Sequence, residues 1–372
     1  MTEKLLKFEE DLSVNPGNRN LLASAIDTYL TLGRVKDAKR YADEAVKRYP
    51  NDQYFQFRHG NVLIANGELS EAKAIFERLF IETGNSVAAF NLAYVCYEQA
   101  EYDEAGKLLT PIVSLPDRPA GSVVLLLRVL HRQGNLKTAI TLVQRNMELC
   151  KNETDFLAVA SLLFFDDGQL ENARRTCIAA QVGGARPLEA MIVSASVSLG
   201  DGDIEAAKIQ FTEAIEICPT DGRSWGGLGM ISMLKGDLPL ASQQLEKAIG
   251  YMPNHIGTRH LLGWCKIFSH DLIVAHKIFD QALSLDRNFA ESHGGLAAVL
   301  ALQGERNVAE ECIKRAIRLD PKSLSVRYAQ AVLSGEINDP EKFREIAFKA
   351  MSTRVNPFGG SLAAAVRKLS TV

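Results

Sequence analysis

The side chains with which this chain could do chemistry are its imidazoles, thiols and paired carboxylates, and their spacing argues against most of it. The histidines are His59, His131, His255, His260, His270, His276 and His293. No two of them stand four residues apart, the spacing that sets two imidazoles on one helical face over a metal ion. His255, His260, His270 and His276 cluster in sequence and could converge with Cys265. Separate helical faces are the plainer reading, because zinc needs ligands that meet at one point. Asp166-Asp167 precedes a glycine and reads as an acidic helix end. As a catalytic dyad it lacks anything that buries it or shifts a carboxyl pKa. Cys96, Cys150, Cys177, Cys218, Cys265 and Cys312 are scattered without a CxxC pair, so they read as reduced thiols packed as small hydrophobes. No GxxxxGK[ST], post-strand GxGxxG, HExxH or GxSxG occurs. The expectation is a chain with no catalytic residues, no metal and no cofactor.

The elements that position these residues are helices. Glycine and proline punctuate segments of about 12–15 residues with apolar positions three and four apart, the helical period. No run alternates apolar and polar residues in the manner of a strand, so the fold class is all-α.

The helices repeat. Ala38, Ala72, Ala105, Ala139, Ala173, Ala207, Ala241, Ala275 and Ala309 are separated by 34 residues, with one gap of 33. Five residues before most of these alanines stands a glycine: Gly33, Gly67, Gly134, Gly168, Gly202, Gly236 and Gly304. Ala100 and His270 occupy that slot in the other two units. Four residues after the alanine comes a large apolar residue, as at Phe76, Leu109, Phe211, Leu245, Phe279 and Ile313. The period predicts a helical hairpin in which the glycine stops the first helix in a left-handed conformation. An acidic residue (Glu68, Glu101, Asp203, Asp237, Asp271 or Glu305) then opens the second helix at its positive end. Small residues mark the crossing, and no hairpin can bury its apolar face without a neighbour.

The chain has 372 residues, a net charge of −3 and a sequence pI of about 6.2, which gives no electrostatic reason to expect nucleic acid. The charged start MTEKLLKFEE carries no secretory signal, and no stretch nears the roughly 18 apolar residues of a membrane span. A soluble, cytoplasmic protein without direct membrane insertion is expected.

The pattern resembles the tetratricopeptide repeat, whose signature is W-x2-L-G-x2-Y, then A-x3-F, then P. Trp225, Leu228, Gly229, Ala241, Leu245 and Pro253 fill those slots, with Ser232 in place of the tyrosine. Units begin near Arg19, Gln53, Ser86, Ala120, Thr154, Leu188, Gly222, Ile256, Ala290 and Leu324. The resemblance implies a right-handed superhelical solenoid of about ten helix-turn-helix units. The expected organisation is an N-terminal half-unit over 1–18, units 1–3 over 19–119, and units 4–10 over 120–357. The tenth unit is degenerate at Phe343, and a capping helix follows over 358–372. Pro111, with Pro116 and Pro119, marks 110–121 as a candidate bend or subdomain boundary, and Gly183-Gly184 as a softer joint, with ordinary irregular loops as the alternative for both.

The resemblance also implies that the first helix of each unit lines a concave groove. Carried onto this sequence, the groove runs through Phe57, Asn61 and Ile64, then Phe90, Tyr94, Tyr97 and Glu98. Val124, Arg128, His131 and Arg132 follow, then Leu162, Phe165 and Asp166. Farther on come Met230 and Met233, then His260, Trp264, Ile267 and Phe268. Two patches emerge. One is aromatic and arginine-bearing, the residue types that most often anchor partners. The other, Met230, Met233, Trp264, Ile267 and Phe268, is apolar and adaptable. Aromatics at helical spacing are more often core than contact surface, and that alternative stands for both. Asn61 and Asn91 read as isolated, so neither the lysine–asparagine clamp nor the asparagine ladder of some family members is met. The functional expectation is a non-catalytic scaffold or adaptor holding a peptide or helix of a protein partner. The alternatives are a self-assembling solenoid, an assembly or secretion chaperone, or a regulatory subunit of an enzyme in another chain.

Overall fold

The computed structural model describes residues 10, 12 and 14–336, and the expected second half of the tenth unit and the capping helix lie outside them. The chain divides into two compact units, Met1–Lys151 and Asn152–Val372. In the first, four hairpins follow one another: α1 (Arg19–Thr31) with α2 (Val35–Arg48), α3 (Gln53–Ala65) with α4 (Leu69–Thr83), α5 (Ser86–Glu98) with α6 (Tyr102–Ile112), and α7 (Ser122–Arg132) with α8 (Leu136–Asn146). The second begins with α9 (Thr154–Asp166) and α10 (Leu170–Ala180), then α11 (Leu188–Gly200) and α12 (Ile204–Ile217), then α13 (Gly222–Leu234) and α14 (Leu238–Tyr251). It continues with α15 (Ile256–Phe268) and α16 (Leu272–Leu285), α17 (Ala290–Leu302) and α18 (Arg306–Leu319), and α19 (Leu324–Ser334). Among the described residues there is no strand; the fold is an all-α helical repeat solenoid. The predicted starts of the first helices hold, except that α7 begins at Ser122, after Gly121 at φ 80°.

The marker alanines explain the hairpins. All nine, from Ala38 to Ala309, are 0% exposed, and the apolar residue four positions on fills the space beside each crossing. Phe279 shows how tightly. A Cβ on Gly263 would lie 2.6 Å from its ring, and one on Gly295, in the next hairpin, 2.2 Å from it. One ring is thus clamped between the first helices of two successive hairpins, where only glycine leaves room.

The turn glycines take positive φ, and the two residues that replace them do the same: Ala100 sits at φ 61° and His270 at φ 60°. A side chain there meets the left-handed penalty of about 1–2 kcal/mol. Ala100→Gly and His270→Gly are therefore expected to stabilise the chain by about 0.5–1 kcal/mol each, after the added freedom of the unfolded glycine is subtracted. Urea midpoints measure this, and a loss of stability would refute it.

The acidic residues that open the second helices divide by length. Asp203, Asp237 and Asp271 fold back as N-caps, accepting from the backbone N–H of Ala206, Leu240 and Val274. Glu68 and Glu101 make no such cap. They reach out to the preceding second helix, where Lys39 and Lys73 donate to them at 2.9 and 2.5 Å. Those hydrogen bonds hold both carboxyls below their usual pKa range.

Pro111 is the penultimate residue of α6, so it ends that helix after 11 residues rather than kinking it. The segment 110–121 lies inside the first compact unit, and the division between the units falls at 151/152. Gly183 and Gly184 have φ 73° and 81° within a short 3-10 turn over Val182–Gly184.

Candidate interaction surface

The aromatic patch is built in the first unit by three successive first helices. On α5, Phe90, Tyr94 and Tyr97 stand at i, i+4 and i+7 and stay half-buried. The other side of α5, with Ala89, Leu92, Ala93 and Cys96, is core. On α3, Phe57 rests edge-on against Phe76 with centroids 5.5 Å apart. Asn61 and Asn91 are not isolated: the Asn91 carboxamide donates to Asn61 Oδ1 at 2.7 Å, tying α3 to α5. Burial raises the Tyr94 phenol above its usual pKa, the neighbouring Glu98 carboxylate adds to the rise, and Arg128 on α7 opposes it. Arg128 and His131 are half-buried and Arg132 is exposed. Tyr97 packs against Tyr102, centroids 5.7 Å apart.

A cavity of about 230 Å³ opens beside Phe57, lined also by Tyr54, Arg58, Leu79, Thr83 and Val87. Arg58 stacks 3.7 Å over the Tyr54 ring and donates to Asp27 at 2.8 Å. Tyr54 and Arg58 were absent from the sequence-derived groove. Their four-residue spacing on α3 was the available signal, since it puts them on one face.

The second patch is different. Met230 is 5% exposed and belongs to a core with Phe211, Leu228 and Ile231, so its assignment to the groove is corrected. Met233 is half-buried against the Ala241–Leu245 cluster, and Ile267 is core. His260 is also a packing residue. Its ring lies between Phe279 and Phe289, 5.4 and 5.2 Å away, and its Nε2 bonds Ser292 Oγ at 2.8 Å. Burial drives its pKa down to about 4 against a small opposing pull from Glu291. Trp264 meets the Tyr328 ring at 4.9 Å and Phe268 at 5.8 Å; of this patch Phe268 remains exposed. Phe165 is likewise core, since every residue from Phe156 to Phe165 on α9 is buried. The physical reason is common to all of them. First helices in the second unit are covered on more than one face, so a slot that points to a groove by period can be covered.

The polar candidates have separate partners. His255 caps α15, its Nδ1 accepting from the Thr258 N–H, and His276 approaches Asp280 at 3.4 Å. Cys265 Sγ donates to the Leu238 carbonyl. Among the described residues no three His, Cys, Asp or Glu side chains stand together as metal ligands. Asp166 is held by Arg223, whose guanidinium donates to both carboxylate oxygens at 2.9 and 2.6 Å. That clasp joins the end of α9 to the start of α13 and passes over a whole hairpin. Burial lowers the pKa of His255 nearby, Arg223 adds to the drop, and Asp166 opposes it. No helix among the described residues is long and apolar enough to cross a membrane.

The fold defines the class: an all-α protein of repeated helical hairpins. The tetratricopeptide-repeat family profile matches residues 24–87. Human (Homo sapiens) tetratricopeptide repeat protein 7B is 28% identical over 138 residues, which is 36% of this chain and 16% of that protein, so the match spans less than a fifth of this relative. A solved structure of a monomeric IFIT1 mutant with Gppp-AAAA shares the fold. Its TM-score is 0.55 at 12% identity, over 94% of this chain and 86% of that one. The chain is similar to tetratricopeptide-repeat proteins in profile over residues 24–87 and in its helical repeat fold.

Proposed function

We propose that the chain is a non-catalytic adaptor of the cytoplasm that holds a peptide segment or helix of a partner protein across α3, α5 and α7. The observation that carries this reading is the half-buried stripe Phe90, Tyr94 and Tyr97, set beside Phe57 and the Asn61–Asn91 pair. Amphipathic aromatics on rigid helices bind with little ordering cost, and the paired carboxamides offer donors and acceptors to a peptide backbone. The second patch, mostly core, offers far less surface, so the first is the chosen site.

Affinity capture with the full chain and with Asn91→Ala plus Tyr94→Ala tests this, with circular dichroism confirming that the variant keeps its helices. The expected result is loss of the main captured protein by about tenfold or more. Undiminished capture overturns the site. Light scattering across concentration addresses the self-assembling alternative, for which a mass that grows with concentration would speak. IFIT1 was solved with Gppp-AAAA; at 12% identity that likeness carries no ligand to this acidic chain, and titration with the same oligonucleotide is expected to give no binding.

A further inference from the structure

The early stop of α6 leaves space that a longer helix would fill. The second helix of the first hairpin, α2, has 14 residues, whereas α6 has 11 and ends just after Pro111. Between the end of α6, the side of α7 and the length of α8 lies a groove of about 450 Å³. Val113, Leu126, Leu130 and Leu142 form its apolar part, and Lys137 and Arg145 stand at its edge. On α7, Leu126 and Leu130 project about 180° away from Arg128, so this groove lies on the opposite side of the helix from the aromatic patch.

The two cations set it apart. Nearby Lys107 pairs with Glu104 and Lys151 with Glu148, each at 3.3 Å, whereas Lys137 and Arg145 form no ion pair among the described residues. Eight residues apart on one helix, they are separated by about 12 Å, two turns. An apolar trough with an uncompensated positive charge at each end is complementary to an amphipathic helix carrying carboxylates two turns apart around an aliphatic anchor.

We propose that this groove is a second docking site, for an acidic amphipathic helix of another protein that seats a leucine-sized side chain between Lys137 and Arg145. The site is independent of the aromatic patch. The probe is a fluorescein-labelled synthetic helical peptide with a central leucine pair and a glutamate on either side of it, two turns apart. A second peptide carries lysines in place of the glutamates. Fluorescence anisotropy with the full chain is expected to show saturable binding of the glutamate peptide only. Lys137→Glu plus Arg145→Glu is expected to weaken that binding about tenfold or more and to create binding of the lysine peptide. Both positions are exposed, and the reciprocal gain reports a folded variant. Asn91→Ala plus Tyr94→Ala is expected to leave the titration unchanged, which separates this site from the proposed adaptor surface. Failure of the glutamate peptide to bind, or equal binding by the charge-reversed variant, overturns the proposal.

Discussion

Gly295→Ala is expected to destabilise the second compact unit by about 2–3 kcal/mol, although alanine is favoured over glycine in a helix by about 1 kcal/mol. The sign is decided by Phe279. Its ring would lie 2.2 Å from the new Cβ, well inside any real contact, and it has nowhere to retreat. Gly263 closes the other face, while the His260 and Trp264 rings stand at 5.4 and 6.3 Å. Overpacking a ring held on all sides moves backbone rather than one side chain. Gly250→Ala is the matched control: nothing lies within 4 Å of its added Cβ, so helix propensity alone acts and a gain of up to about 1 kcal/mol is expected. Urea titrations read through the fluorescence of Trp225 and Trp264, which lie in the second unit, check both. In the double variant Gly295→Ala with Phe279→Leu, the smaller side chain should recover part of the loss as a favourable coupling. Additive losses would show that the two positions do not share the space described.

The second large effect is a pH dependence centred on His260. In the folded chain its pKa lies at about 4; unfolded, it returns to the ordinary 6.5. Between these values the unfolded chain binds a proton that the folded chain does not. Stability is therefore full above pH 6.5, falls as pH drops through the window, and levels off below about 4. The shift corresponds to a loss of up to about 3 kcal/mol. His260→Gln should be less stable at neutral pH, since it gives up the ring packing against Phe279 and Phe289, but its stability should change less between pH 6.5 and 4. Parallel slopes for wild type and variant across that window would exclude His260 as the group responsible.

The hairpins could be read from the sequence because their instructions are local. A left-handed stop, an alanine five residues on and a large apolar residue four beyond that specify one turn and one crossing, and even Ala100 and His270 obey the slot against their own preference. The surface was harder. Whether Tyr94 or Met230 reaches solvent depends on how closely successive first helices approach and how many faces they cover, and a 34-residue period says nothing about that distance. Asn61 and Asn91 occupy different slots, so counting slots separates them while packing joins them. The choice of aspartate or glutamate at the start of a second helix carried more than charge. One carbon separates the aspartates that cap their own helix from Glu68 and Glu101, which bind the previous one.

The Arg223–Asp166 clasp has a consequence for how the second unit comes apart. A stack in which each repeat touches only its neighbours melts like a zipper, with a boundary free to halt between any two teeth. Here the ion pair fastens α9 to α13 across the hairpin formed by α11 and α12, so that hairpin is a link inside a closed ring. It cannot open as an independent tooth while the ring is shut. Slow amide exchange in α11 and α12 should thus share one opening event with the start of α13, and Arg223→Met should return that segment to ordinary tooth-by-tooth opening.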